Sequence, residues 1–178
     1  MKIKKGVNIT MLEKNLGYRT IYRKQVVNSE TLFKINLPNL PLLGNLSQNE
    51  FKNQLQITLN DEKSAIEFYT KLWEQAPNEL HKEFIGEALS EEKKHLELFK
   101  NLYTLHFNEE PNIEIKTVTY NNYKDGLLHA LKDELEAADY YKKMALSNSN
   151  DTIKQSYFYA MQDELEHSIM FSTLLNSL

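Results

Sequence analysis

The sequence predicts an all-α protein: an antiparallel four-helix bundle with one long crossover, preceded by a short irregular or β-containing N-terminal extension. Three observations carry this. Four stretches repeat apolar residues at alternating steps of three and four, the period of a helix buried along one face. A few polar residues separate the first stretch from the second and the third from the fourth, so each pair forms an antiparallel hairpin. Residues 106–122, with Pro111, Ile113, Ile115, Val118 and several asparagines, are too long for a tight turn and read as a crossover between the hairpins.

The 178 residues suffice for one core, and 41% hydrophobic against 26% charged residues is a globular balance, not a disordered one. There is no cysteine, which excludes disulfides, thiolate metal sites and iron–sulfur centres. No apolar run is long enough to span a bilayer, so no membrane partner is expected. The start Met1-Lys2-Ile3-Lys4-Lys5 is signal-like, but Asn8, Thr10 and Glu13 interrupt any apolar continuation; a cytoplasmic location is expected.

Charge divides the chain. Residues 1–40 hold eight Lys/Arg against Glu13 and Glu30, a balance of +6, and the rest holds 13 lysines against 23 acids, a balance of −10. We therefore place an N-terminal extension at 1–46 and the bundle at 47–178. Within the extension, Tyr18–Val27 reads as a strand with Thr31–Leu37 as its hairpin partner, and Asn36–Gly44 as an extended apolar strap. The extension has no nucleic-acid-binding module and is expected to lie on the acidic bundle or on that of a partner subunit.

The first helix opens on Ser47 with Glu50, a capping box, flanked by Leu46 and Phe51 as a staple. Its stripe is Leu55, Leu59, Glu62, Ile66, Tyr69, Trp73, and Pro77 ends it. The second helix, about 78–105, carries Ile85, Ala88, Glu92, His95, Phe99, Leu102. The third, about 123–147, carries Leu127, Leu131, Glu134, Ala138, Tyr141, Ala145; after Ser147-Asn148-Ser149-Asn150 the fourth carries Ile153, Tyr157, Ala160, Glu164, His167, Phe171, Leu174. All four seams are interrupted by ionisable residues: Glu62, Glu92 with His95, Glu134, Glu164 with His167. Glutamates on a solvated face would need no explanation. On an apolar seam, each buried carboxylate costs on the order of several kcal/mol unless something cationic balances it.

A shift of 72 residues superimposes the two halves at these positions. Leu59, Asp61, Glu62, Ala65, Tyr69 and Lys71 fall on Leu131, Asp133, Glu134, Ala137, Tyr141 and Lys143; Ala88, Glu92, His95, Phe99 and Leu102 fall on Ala160, Glu164, His167, Phe171 and Leu174. One Glu-x-x-His is weak, but a duplicated Glu…Glu-x-x-His with a Glu-to-Glu spacing of 30 in both halves is strong. Four carboxylates neutralise two divalent ions, and two imidazoles add one ligand to each. Such a set suits iron or manganese, with zinc as an in vitro substitute.

Residues 51–176 resemble the ferritin-like di-metal carboxylate superfamily, and Asp61-Glu62-Lys63-Ser64-Ala65-Ile66-Glu67-Phe68-Tyr69 is most similar to rubrerythrin-type chains. The resemblance implies two iron ions per chain held by Glu62, Glu92, His95, Glu134, Glu164 and His167. It makes Tyr69 and Tyr141 tyrosines that hydrogen-bond a ligand carboxylate, and Glu91 and Asp163 can orient the histidine of the opposite helix. Two departures stand out: Ala137 occupies the place of an additional third-helix glutamate, and there is no cysteine-ligated rubredoxin domain. The six-ligand site therefore resembles a bacterioferritin ferroxidase centre as much as a rubrerythrin centre. His81 and His106 are expected to face solvent at the ends of the second helix, and His129 to lie on the surface.

The expected function is a di-iron oxidoreductase reducing hydrogen peroxide or dioxygen, with an external electron-donor protein and a homodimeric assembly. Ala65 and Ala137 leave room beside the metals for a small oxidant. The alternatives are a ferritin-type ferroxidase that stores iron, and a structural bundle with a residual metal site.

Overall fold

In a computed structural model the chain divides into two units, Met1–Asn39 and Leu40–Leu178, and the structure describes residues 46–178. The expected strands and strap of the N-terminal extension lie outside the described residues. Four helices follow: α1 (Gln48–Glu74), α2 (Glu79–Phe107), α3 (Tyr123–Leu146) and α4 (Asp151–Asn176). None is long and apolar enough to cross a membrane.

Each helix begins where its sequence can satisfy the free N–H groups of a first turn. The Ser47 hydroxyl accepts from Glu50 N while the Glu50 carboxylate accepts from Ser47 N at 2.9 Å, the reciprocal box read from the sequence. Asn78, Asn122 and Asn150 cap the other three through their side-chain oxygens. α2 ends on Asn108 in the left-handed region (φ 54°), a conformation that asparagine tolerates better than most residues. At the start of α3, a Cβ on Gly126 would come within 2.8 Å of Leu72 Cδ1 and 3.1 Å of the Tyr120 ring, so only glycine lets the crossover and α1 approach this closely.

α1 packs on α2 and α3 on α4 along their lengths, and α2 faces α4 across the bundle. Of the helix pairs that touch, α1 and α3 are the least intimate. The core has two apolar ends. One gathers Leu55, Leu59, Phe99, Tyr141, Met144 and Tyr157; the other gathers Tyr69, Leu72, Ile85, Leu127, Phe171 and Leu174. Each fully buried leucine or phenylalanine contributes about 1.5–3 kcal/mol, which is what lets a charged layer survive between them.

Two expectations need correction. His81 is fully buried, not solvent-facing: its Nδ1 lies 2.8 Å from Tyr123 Oη and its Nε2 2.9 Å from Ser177 Oγ, tying together the starts of α2 and α3 and the end of α4. Burial lowers its pKa. Trp73 is 40% exposed, and Leu72 takes the buried position beside it. The indole instead donates to Lys82 O at 3.0 Å. His106 is half-buried, with its ring edge-on to Phe51, and His129 is likewise half-buried.

Candidate metal centre

Glu92 and His95 leave the same face of α2, being three apart on a helix, and Glu164 and His167 do so on α4. Glu62 arrives from α1 and Glu134 from α3. All six residues are at most 2% exposed. They form two overlapping quartets, Glu62–Glu92–His95–Glu164 and Glu92–Glu134–Glu164–His167, each with ligand atoms within 4.8 Å of one another. Glu92 and Glu164 belong to both.

The histidines fix the directions. His95 Nδ1 lies 3.3 Å from Glu164 Oε1 and 3.6 Å from Glu92 Oε2, and His167 Nδ1 lies 3.1 Å from Glu164 Oε2 and 3.4 Å from both Glu92 Oε1 and Glu134 Oε1. Their other nitrogens are held from the opposite helix: His95 Nε2 by Asp163 Oδ2 and His167 Nε2 by Glu91 Oε2, each at 3.0 Å. A ring that donates its Nε2–H to a carboxylate turns the Nδ1 lone pair inward, as a metal ligand requires. The tyrosines cross in the same manner. Tyr69 Oη donates to Glu134 Oε1 at 2.6 Å, and Tyr141 Oη donates to Glu62 Oε1.

Without a counter-ion, the layer distributes protons to limit its own repulsion. Burial, with Glu92 and Glu164 nearby, raises the Glu62 pKa well above the usual carboxylate range, and burial together with Glu164 does the same to Glu134. Burial also pushes Glu92 upward, but His167 and His95 outweigh it and hold that carboxyl below its ordinary value. Burial alone would depress His95; Glu164 and Glu92 instead lift it to about 10, and His167 is raised by Glu134, Glu164 and Glu92. Tyr69 and Tyr141 are raised by burial and by the glutamates they face, so they remain donors.

Two buried atoms, Glu62 Oε2 and His95 Nδ1, have no hydrogen-bond partner among the described residues. Leaving such groups unsatisfied costs about 1–3 kcal/mol each. Both belong to the same quartet, and each would offer a lone pair to a cation that took the place of the His95 proton. The residues fit a metal ion: an oxygen-rich, two-imidazole set whose orphan atoms converge.

A cavity of about 430 Å³ opens between α1 and α3 and reaches all four glutamates. Ala65, Phe68, Ala137, Tyr140 and Val118 supply much of its wall. Ala65 and Ala137 thus stand where the sequence placed them, but the space is on the scale of small-molecule sites, larger than a peroxide needs. The histidines are on the α2–α4 side, so ligand cluster and cavity meet face to face. Sequence reasoning missed Phe68, Tyr140 and the crossover residues Lys116 and Val118. The available signal was Asn60 and Ser64, polar and four apart on α1, whose side-chain oxygens accept from Glu114 N and Lys116 N at 2.9 Å.

A buried Glu/His layer across four helices, with a long crossover between the second and third, defines a ferritin-like bundle. Solved structures agree on the fold. A hypothetical protein from Pyrococcus furiosus matches with TM-score 0.64 at 26% identity, over 70% of this chain and 87% of that one. A bacterioferritin-related protein of Bacteroides fragilis, described as a dodecameric thioferritin, matches with TM-score 0.64 at 18% identity, over 76% and 90%. A two-domain protein from Anabaena variabilis, containing a DJ-1/ThiJ/PfpI-like and a ferritin-like domain, matches with TM-score 0.61 at 14% identity, over 75% of this chain and 38% of that one. No family model matches the sequence. The chain belongs to the family of YhjR of Bacillus subtilis (strain 168), described as uncharacterized, with which it is 33% identical over 117 residues, 66% of this chain and 81% of YhjR.

Proposed function

We propose that the protein is a di-iron oxidoreductase of rubrerythrin-like type, a homodimer that reduces hydrogen peroxide or dioxygen with electrons from a separate donor protein. The observation that supports this most is the meeting of the α1–α3 cavity with a buried layer of four glutamates and two histidines. In this reading Glu62 and His95 serve one ion, Glu134 and His167 the other, and Glu92 and Glu164 are shared. Bound iron would supply two-electron redox chemistry, and manganese suits the same ligands. The chain's own residues do the rest. Four carboxylates balance two divalent ions in an apolar setting. Tyr69 and Tyr141 hold Glu134 and Glu62 in place by donating to them, Glu91 and Asp163 orient the imidazoles, and Phe68 and Val118 shield the inner cavity from bulk water.

A ferroxidase that stores iron is the second reading, favoured by Ala137, which leaves six ligands related by the 72-residue repeat and no seventh carboxylate at that place. Stopped-flow oxidation of anaerobic, Fe²⁺-loaded protein by hydrogen peroxide and by dioxygen in parallel separates the two. The reductase reading expects rapid oxidation and continued turnover with an external reductant. Iron accumulating well beyond two per chain would establish storage, and oxidation no faster than that of free Fe²⁺ would leave a metal-binding bundle.

A further inference from the structure

The four seam glutamates are at most 2% exposed as residues, so an incoming ion must pass through the bundle wall. The cavity between α1 and α3 reaches all four of them. At its rim stand Asp61 and Asp133, each one residue before the seam glutamate of its helix, together with Glu136 and Lys116. Three exposed carboxylates and one exposed ammonium thus line the cavity, and Lys132 and His129 lie close enough to Asp133 to act on it. Lys116 Nζ lies 3.0 Å from Asp61 Oδ1, with side chains 67% and 50% exposed. An ion pair so open to water contributes about 0–1 kcal/mol. It is strong enough to seat the lysine and too weak to bar a divalent cation. Inside the cavity Glu62 Oε2 is a buried acceptor with no partner among the described residues.

We propose that this rim is a cation-uptake gate: Asp61, Asp133 and Glu136 draw a hydrated divalent cation to the cavity mouth, where it displaces the Lys116 ammonium from Asp61 before passing inward to Glu62 and Glu134. The gate rests on the metal-centre reading above. Like charges around a low-dielectric cleft concentrate cations and speed their arrival. The same field rejects phosphates and carboxylates while leaving uncharged oxidants unaffected. Lys116 sits on the crossover, whose backbone is fastened to α1 through Asn60 and Ser64, so the latch can swing without unseating a helix. A purely structural ion pair would pin the crossover and leave uptake rates untouched.

The test uses the full-length, metal-free chain and Co²⁺, whose visible bands report entry into the site in a stopped-flow instrument. Asp133→Asn with Glu136→Gln should load about tenfold more slowly and reach the same final ions per chain. Lys116→Gln should load several-fold faster. Added salt should slow the unaltered protein and hardly affect the double variant. Glu136 and Lys116 are exposed, so single variants at these positions keep the test usable if the double variant folds poorly. Unchanged rates at full stoichiometry would overturn the gate alone, as would a Lys116→Gln protein that changes only in melting temperature. Failure of the unaltered protein to take up Co²⁺ would overturn the metal-centre reading and the gate with it.

Discussion

The first hairpin, α1 with α2, exposes Glu74, Lys93 and Glu97 where the second, α3 with α4, exposes Leu146, Leu165 and Ile169 at the positions 72 residues on. Inside, the same shift maps Glu62, Tyr69, Glu92, His95 and Phe99 onto Glu134, Tyr141, Glu164, His167 and Phe171, all of them buried. The contrast separates two kinds of constraint. An inward side chain must meet a partner on another helix at hydrogen-bonding distance, and a change of one atom breaks that. An outward side chain has only water to satisfy, so lysine and leucine serve equally well for the fold.

The largest effect should come from breaking the inner equivalence. Glu92→Ala should abolish paired metal binding, and Glu164→Ala should do so to the same extent, because each removes a carboxylate common to both quartets. Metal analysis of protein reconstituted with Fe²⁺ checks this; retention of two ions by either variant refutes the sharing. Next, Glu91→Gln and Asp163→Asn should each weaken metal affinity about 10–100-fold, read by competition with a chelator. Unequal losses would mean that the two histidines are not equivalent in function.

Gly126→Ala should cost about 1–3 kcal/mol through the clash with Leu72 and Tyr120, lowering the melting temperature by several degrees. A stability within error of the parent would show that the crossover yields there. The metal-free protein should melt at a lower temperature at pH 8 than at pH 6. Glu62 and Glu134, one from each hairpin, have native pKa values raised above 4.5, so their contribution is complete below 4.5 and fades as pH climbs through the native values. His95, raised from 6.5 to about 10, and the raised His167 lose theirs in the same direction above 6.5. Glu92 is lowered and acts oppositely, but only below 4.5; neutral His81 opposes the trend through burial alone. Metal-free melting that rises steadily from pH 6 to 8 would contradict this, and Glu62→Gln or Glu134→Gln should flatten the slope alike. The smallest effect belongs to the outer face. Giving α4 the residues of α2, Leu165→Lys with Ile169→Glu, should change stability by no more than about 0.5 kcal/mol per site, since these side chains are 44% and 67% exposed. A larger loss in thermal melts would reveal a contact on that face.

Helical period made the four seams legible, and charge on an apolar seam marked the six ligand-type residues. The cap of α1 was equally readable, because Ser47 and Glu50 act within one turn of each other. His81 was not: its partners Tyr123 and Ser177 are 42 and 96 residues away, and a polar residue in a first turn gives no sign of burial. Lys116 and Val118 were invisible for a related reason. The crossover has no period of its own, and its path over the cavity depends on hydrogen bonds to Asn60 and Ser64 that only folding brings near. Trp73 shows the limit of stripe counting at a helix end, where solvent and the neighbouring Lys82 decide orientation.

Tyr69 of α1 supports a glutamate of α3, Tyr141 of α3 supports one of α1, and Glu91 and Asp163 exchange the same service between α2 and α4. Each of these bonds joins one hairpin to the other. A single hairpin is therefore half a site by construction, and two copies of residues 123–178 around a twofold axis would hold every type of group the layer uses. The continuous chain is in this sense one hairpin written twice in one polypeptide. A short metalloprotein cut from its second half becomes a concrete design target, with Leu165 and Ile169 as the first surface to make soluble.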